Sequence, residues 1–163
     1  MDLTTTQAAW FLPLVAPICV YVAYSDLKGM IIPNKAVIAL VAVFAVVGLI
    51  ALPLDVWAWR WVHLVVLLII GMLVNAVGLM GAGDAKFIAA AAPFIARPDA
   101  PLAMYILAAC ILSGVILHRI AKHTALRKLA PEWKSWTTGK RFPMGFPLGM
   151  ALIGYLIAPF FVQ

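Results

Sequence analysis

Charge is scarce in this chain. Only 11% of its 163 residues are Asp, Glu, Lys or Arg, against roughly a quarter in ordinary soluble domains, while 66% are hydrophobic. A water-solvated globule is thereby excluded. Cysteine is nearly absent: Cys19 and Cys110 lie far apart inside apolar runs, with no C-x-x-C pair to hold zinc or exchange electrons. The histidines His63, His118 and His123 are not spaced as a ligand set, and there is no H-E-x-x-H. No metal and no cofactor are expected. G-x-S-x-G is missing too, which removes the usual signature of a serine nucleophile. Alternating apolar and polar residues are lacking, so strands of a barrel are not expected. No internal repeat appears, nor the pair of broken spans that marks inverted-repeat transporters. The opening "MDLTTTQ" has an acid and no base, so a cleavable secretory signal is not expected and the first apolar run should be retained.

What is present is a series of long apolar runs. A span needs about 20 apolar residues, and the chain accommodates about six, drawn at 8–25, 36–54, 61–80, 85–96, 102–121 and 143–162. The expected fold is an all-α integral membrane bundle forming a single domain over 1–163, with a short fourth helix. "AKFIAAAAPFIA" is that short segment, rich in small residues.

The basic residues set an orientation. With the N-terminus outside, Lys28, Lys35, Lys86, Arg119, Lys122, Arg127, Lys128, Lys134, Lys140 and Arg141 are cytoplasmic, and only Arg60 and Arg97 are external. The formal net charge of +6 then reflects membrane orientation rather than nucleic-acid binding. Residues 119–141 form a basic connector in which Leu126, Leu129, Trp133 and Trp136 recur at steps of three and four. Such a segment is expected to lie in the membrane interface against an anionic inner leaflet, although Pro131 must interrupt any helix there.

Six carboxylates remain to be placed. Asp2, Asp55 and Asp99 fall in outer loops and Glu132 belongs to the connector, which leaves Asp26 and Asp84 at the inner ends of spans. Asp26 precedes "LKGMIIPN", and Asp84 ends "GLMGAGD", where glycines permit a sharp turn or close approach. Each acid has an ordinary reading: Asp26 as a turn residue, Asp84 as a helix N-cap. Ionisable groups bordering spans cost a few kcal/mol unless paired or wet, so two at one depth suggest function. Two neighbouring carboxylates resist double ionisation and share a proton; one then draws a proton from water while the other polarises a carbonyl. Helix dipoles would act on them oppositely, Asp26 ending one helix and Asp84 beginning another.

Together these motifs resemble a known family. The G-x-G-D pattern of Gly81, Gly83 and Asp84 is followed by Lys86; upstream stands Asp26 with Pro33 and Asn34, and downstream the Pro143, Gly145 stretch "FPMGFP". The set is similar to the prepilin peptidases, the type IV leader peptidases among membrane aspartic proteases. The resemblance implies that Asp26 and Asp84 are the acting pair, with Gly81, Gly83, Lys86, Pro33 and Asn34 shaping the site and Pro143 and Gly145 near the substrate. It implies removal of a short basic leader from a prepilin at the cytoplasmic face of the bacterial inner membrane. Larger members carry a cysteine-bearing region and also N-methylate the trimmed pilin. This chain has no such region and resembles the short, protease-only form of tight-adherence (Flp-type) pilus systems, for which methylation is not expected.

Two other readings start from the same residues. A proton-coupled carrier or small channel would use the acids as a relay and calls for acids near mid-membrane. A structural subunit of a pilus or secretion machine would leave both acids dispensable. Asn75, deep in the third run, is expected to bond across helices.

Overall fold

Continuous apolar runs become helices because backbone N–H and C=O groups in a bilayer have only one another to bond. The computed structural model describes residues 1–138 and 141–162; Lys140, counted above among the connector's bases, lies outside the described residues. Among the described residues there are six α-helices and no strand: α1 (Thr5–Gly29), α2 (Asn34–Ala51), α3 (Leu54–Ala76), α4 (Ala82–Ala91), α5 (Ala100–His123) and α6 (Gly145–Ile157). Four of them, α1, α2, α3 and α5, are long and apolar enough to cross a membrane; α6 is shorter. The chain is an all-helical membrane protein. Exposed residues such as Ile69, Met72 and Leu112 form the apolar outer faces of α3 and α5, the surface expected against lipid.

Boundaries differ from the sequence reading where caps decide them. Thr4 and Gln7 form a capping box that starts α1 at Thr5. The helix then runs past Asp26 to Gly29 and ends on Met30 in the left-handed region, φ 57°. Asp26 is therefore a buried helix residue and not a turn residue. Pro53 precedes the first residue of α3, so that helix begins seven residues earlier than the hydropathy alone suggested and takes in Asp55. Asp84 is not the N-cap of α4; Gly81 is, and Asp84 lies inside the first turn.

The α1 helix is central, packing against both α2 and α6, while α3 holds α4 and α5 holds α6. Close approach at two of these contacts depends on glycine. A Cβ at Gly149 would meet the Cys19 carbonyl oxygen at 2.8 Å, and one at Gly71 would meet Ala85 Cβ at 2.9 Å. The largest packed rings, Phe11, Phe44, Phe94 and Trp61, meet edge-on at centroid distances of 5.1–5.5 Å. They lie toward the end of the bundle that holds the start of α1, leaving the other end free for a cavity.

The fourth segment is built in pieces. Ten residues of α4 reach about 15 Å, half a bilayer core. A 3-10 turn (Ala92–Phe94), extended Ile95 and Ala96, and a second turn (Arg97–Asp99) complete the path. Breaking a helix there frees backbone groups, and side chains satisfy them. Arg60, buried in α3, donates to the carbonyls of Pro93 and Phe94 at 3.3 and 3.4 Å. The Tyr155 hydroxyl accepts from the Ala96 amide at 3.1 Å and donates to Asp99 Oδ2 at 2.9 Å. Asp99 is accordingly not a free loop acid. It is buried and also accepts the Asp2 and Leu3 amides at 2.8 and 3.0 Å, tying the chain start to this end of the bundle. Asn75 likewise departs from expectation: it donates to the Met80 carbonyl at 2.7 Å and closes its own turn.

The connector folds back on the opposite end. It forms 3-10 turns (Ala125–Leu129 and Lys134–Trp136) around Pro131, so the helical spacing of its apolar residues is not kept. Trp136 is buried, stacked on His118 of α5 and on Trp133, and Trp133 meets Tyr24 of α1 edge-on. Leu126 and Leu129 are exposed.

The bonds of Tyr155 give a direct test of how the broken fourth segment is held. Tyr155→Phe strips the hydroxyl from the Ala96 amide and from Asp99, and is expected to lower stability by about 1–3 kcal/mol. Denaturant unfolding of the detergent-solubilised protein measures it; an unchanged midpoint would show that the broken segment does not depend on this phenol.

Candidate active site

The site grows from two helix ends and the loops beside them. Asp26 occupies the last turn of α1, where its side chain is only 5% exposed. A buried carboxylate needs donors. One is the amide of Gly145, the first residue of α6, at 2.6 Å from Asp26 Oδ2. The contact requires glycine. A Cβ at position 145 would stand 2.9 Å from Asp26 Cβ and 3.0 Å from Oδ2. Asp26 thus lies in the last turn of its own helix and Asp84 in the first turn of α4, as expected, while the N-terminal end of α6 adds a donor to Asp26.

Asp84 is delivered by a turn. Gly78 takes φ 77°, Asn75 holds the Met80 carbonyl, and Gly81 begins α4 so that Asp84 comes in its first turn. Here too a glycine keeps space clear: a Cβ at Gly81 would lie 2.8 Å from Asp84 Oδ2. Gly83 serves differently, giving a notch into which Ile32 fits, its Cβ 3.3 Å from where a Gly83 Cβ would be.

The loop after α1 joins the two halves. Met30 turns the chain, the Ser25 hydroxyl donates to the Ile31 carbonyl at 3.0 Å, and Ile32 is buried. Pro33, with φ −68°, then precedes the first residue of α2, Asn34. Lys86 Nζ donates to Asn34 Oδ1 at 3.4 Å, linking α4 to α2 at the rim.

Asp26 and Asp84 line one open cavity of about 980 Å³. Its wall also includes Pro33, Asn34, Gly81, Gly83 and Lys86 from the sequence-derived set. Pro143 and Gly145 do not line it. Pro143 is fully buried and Gly145 reaches the site only through its amide behind Asp26. Sequence reasoning missed Met30, Ile32, Thr138 and Arg141, which also form the wall. Arg141 could have been suspected from its place two residues before Pro143; nothing in the local sequence marks Met30 as left-handed. Two carboxylates and the cations Lys86 and Arg141 therefore surround a volume large enough for an extended peptide and water. Among the described residues, no three of His, Cys, Asp and Glu gather as a metal-ligand set.

The fold and cavity define a multi-span membrane protein with a polar, acid-bearing site at one end of its bundle. Residues 14–118 match the type IV leader peptidase family, and the chain belongs to that family. It is a membrane protease whose family substrates are prepilins. No curated relative and no solved structure matches it. The family match takes in Asp26 and Asp84 and ends before Gly145.

The Gly145 contact can be tested without touching either acid. Gly145→Ala is expected to push Asp26 aside and lower prepilin cleavage by about 10- to 100-fold, the usual effect of a misplacement near 1 Å. Initial rates measure it, with circular dichroism confirming retained helix content. Full activity in the variant would show that Asp26 tolerates displacement.

Proposed function

We propose that this chain is an aspartic endopeptidase that removes the short basic leader from prepilins at the cytoplasmic face of the bacterial inner membrane, with Asp26 and Asp84 acting as a pair. The observation that carries the reading is that both carboxylates line the same cavity. Like charges sharing one site hold a single proton between them. The ionised member draws a proton from water, whose oxygen attacks the scissile carbonyl; the protonated member donates to the carbonyl oxygen. Collapse of the tetrahedral intermediate breaks the C–N bond and a carboxyl proton passes to the leaving amine. Water and peptide bond are consumed, and an acid and an amine result.

The side of the membrane is argued from charge. Lys28, Lys35, Lys86 and Arg141 stand at the cavity end with the basic connector, while Arg60 and Arg97 belong to the other. The positive-inside rule assigns the richer end to the cytoplasm and the N-terminus to the outside. A prepilin leader lying there would reach the cavity while its apolar helix stayed in the bilayer. Lys86 and Asn34 fix the rim, Gly81 and Gly83 give the backbone room, and Gly145 positions Asp26. A proton carrier is less well supported, because Asp26 and Asp84 share one end and Asp99 is committed to three hydrogen bonds at the other.

Purified protein incubated with a candidate prepilin tests the reading. Asp26→Asn and Asp84→Asn are each expected to lower cleavage by about 10²- to 10⁴-fold. Processing that persists in both variants would remove the pair from the mechanism.

A further inference from the structure

Among the described residues, α3 and α5 pack mainly on other helices rather than on each other. The first packs on α4, the second on α6, and α4 meets α6 between them. What results is a cleft floored by α4 and α6, one of whose lining residues, Met104 of α5, is exposed at the surface. It holds a cavity of about 120 Å³, roughly the size of one large apolar side chain, walled by Leu67 of α3 and Ala103 and Leu107 of α5. Its floor is partly small residues, including Ala91 and Ala151, the surface that lets helices approach closely in a membrane. No charged residue lines it.

The cleft leads to the site. Ile88 and Leu148 line both this cavity and the one that holds Asp26 and Asp84. Ile88 is one helical turn along α4 from Asp84, and Ala91 about 10 Å along the same axis.

We propose that the cleft between α3 and α5 docks the apolar helix of the substrate, entering from the bilayer, so that the segment before that helix passes over Ile88 and Leu148 into the carboxylate cavity. This rests on the peptidase reading above. The occupant follows from the continuity: a lipid chain could fill the cleft, but only a peptide that is apolar on one side of its cut and polar on the other uses both cavities. A substrate helix parallel to α4 places the side chain accepted by the 120 Å³ cavity about seven residues beyond the cut.

The experiment compares a full-length membrane prepilin with a short soluble peptide spanning its cut site and lacking the helix. Ala103→Phe fills the cleft, and Leu112→Phe changes the same helix on its exposed face. Expected is a fall of about tenfold or more in the preference for full-length substrate over peptide in Ala103→Phe, and no change in preference in Leu112→Phe. A photocrosslinking residue at 103, in an Asp84→Asn background that retains substrate, is expected to capture the prepilin helix, whereas one at 112 is not. An unchanged preference, or adducts at 103 with lipid alone, would overturn the proposal while leaving the peptidase reading intact. Should Ala103→Phe fail to fold, the crosslink decides. Failure of the wild type to cut either substrate would instead overturn the peptidase reading and this proposal with it.

Discussion

One hydrogen bond, from the Gly145 backbone amide to the Asp26 carboxylate, organises this molecule. It joins residues 119 apart in sequence and fixes where α6 begins relative to where α1 ends. Buried carboxylates are tolerated only with donors, and a helix N-terminus offers amides that have no partner of their own. The bond therefore answers two demands at once, that of Asp26 and that of the first turn of α6. Its 2.6 Å length leaves no room for a side chain on the donor. Along the same interface Gly149 lets α6 approach the Cys19 carbonyl, so a pair of glycines one helical turn apart sets the α1–α6 contact beside the site.

Much of this was legible in the sequence, for reasons that can be named. Apolar run length gave the helices, and the scarcity of acids isolated Asp26 and Asp84, which do line one cavity. Lys86, Asn34 and the paired glycines around position 83 also proved to be neighbours of that cavity. What escaped were matters of direction. Hydropathy is silent on caps, so α3 was started late and α1 ended early. The contact between Gly145 and Asp26 escaped because their distance in sequence hides it in space. Asp99 looked like a loop acid because its partners are two amides and a tyrosine far away along the chain.

The two ends of the bundle solve the same problem of polar groups in an apolar setting by different means. At the Asp99 end the Pro93 and Phe94 carbonyls are met by Arg60, and the Ala96 amide by Tyr155, which in turn donates to Asp99. The aromatic cluster of Phe11, Phe44, Phe94 and Trp61 belongs to that end. At the Asp26 end the polar groups are met only in part by protein, and an open cavity admits water to the rest. The fourth segment links these regimes, giving its helical half to the cavity and its irregular half to the clamp.

The left-handed residue at the end of α1 has a consequence for chain length. Met30 accepts a conformation that costs a non-glycine residue about 1 kcal/mol or more, and the reversal it makes sends Ile32 into the notch at Gly83 and Asn34 to Lys86. The segment from Asp26 to Asn34 is therefore a ruler. Its number of residues sets the spacing between α1, which carries Asp26, and α2, and through Ile32 and Asn34 the place where both meet α4, which carries Asp84. Added or missing residues there would alter the site in register, while leaving every side chain of the pair unchanged.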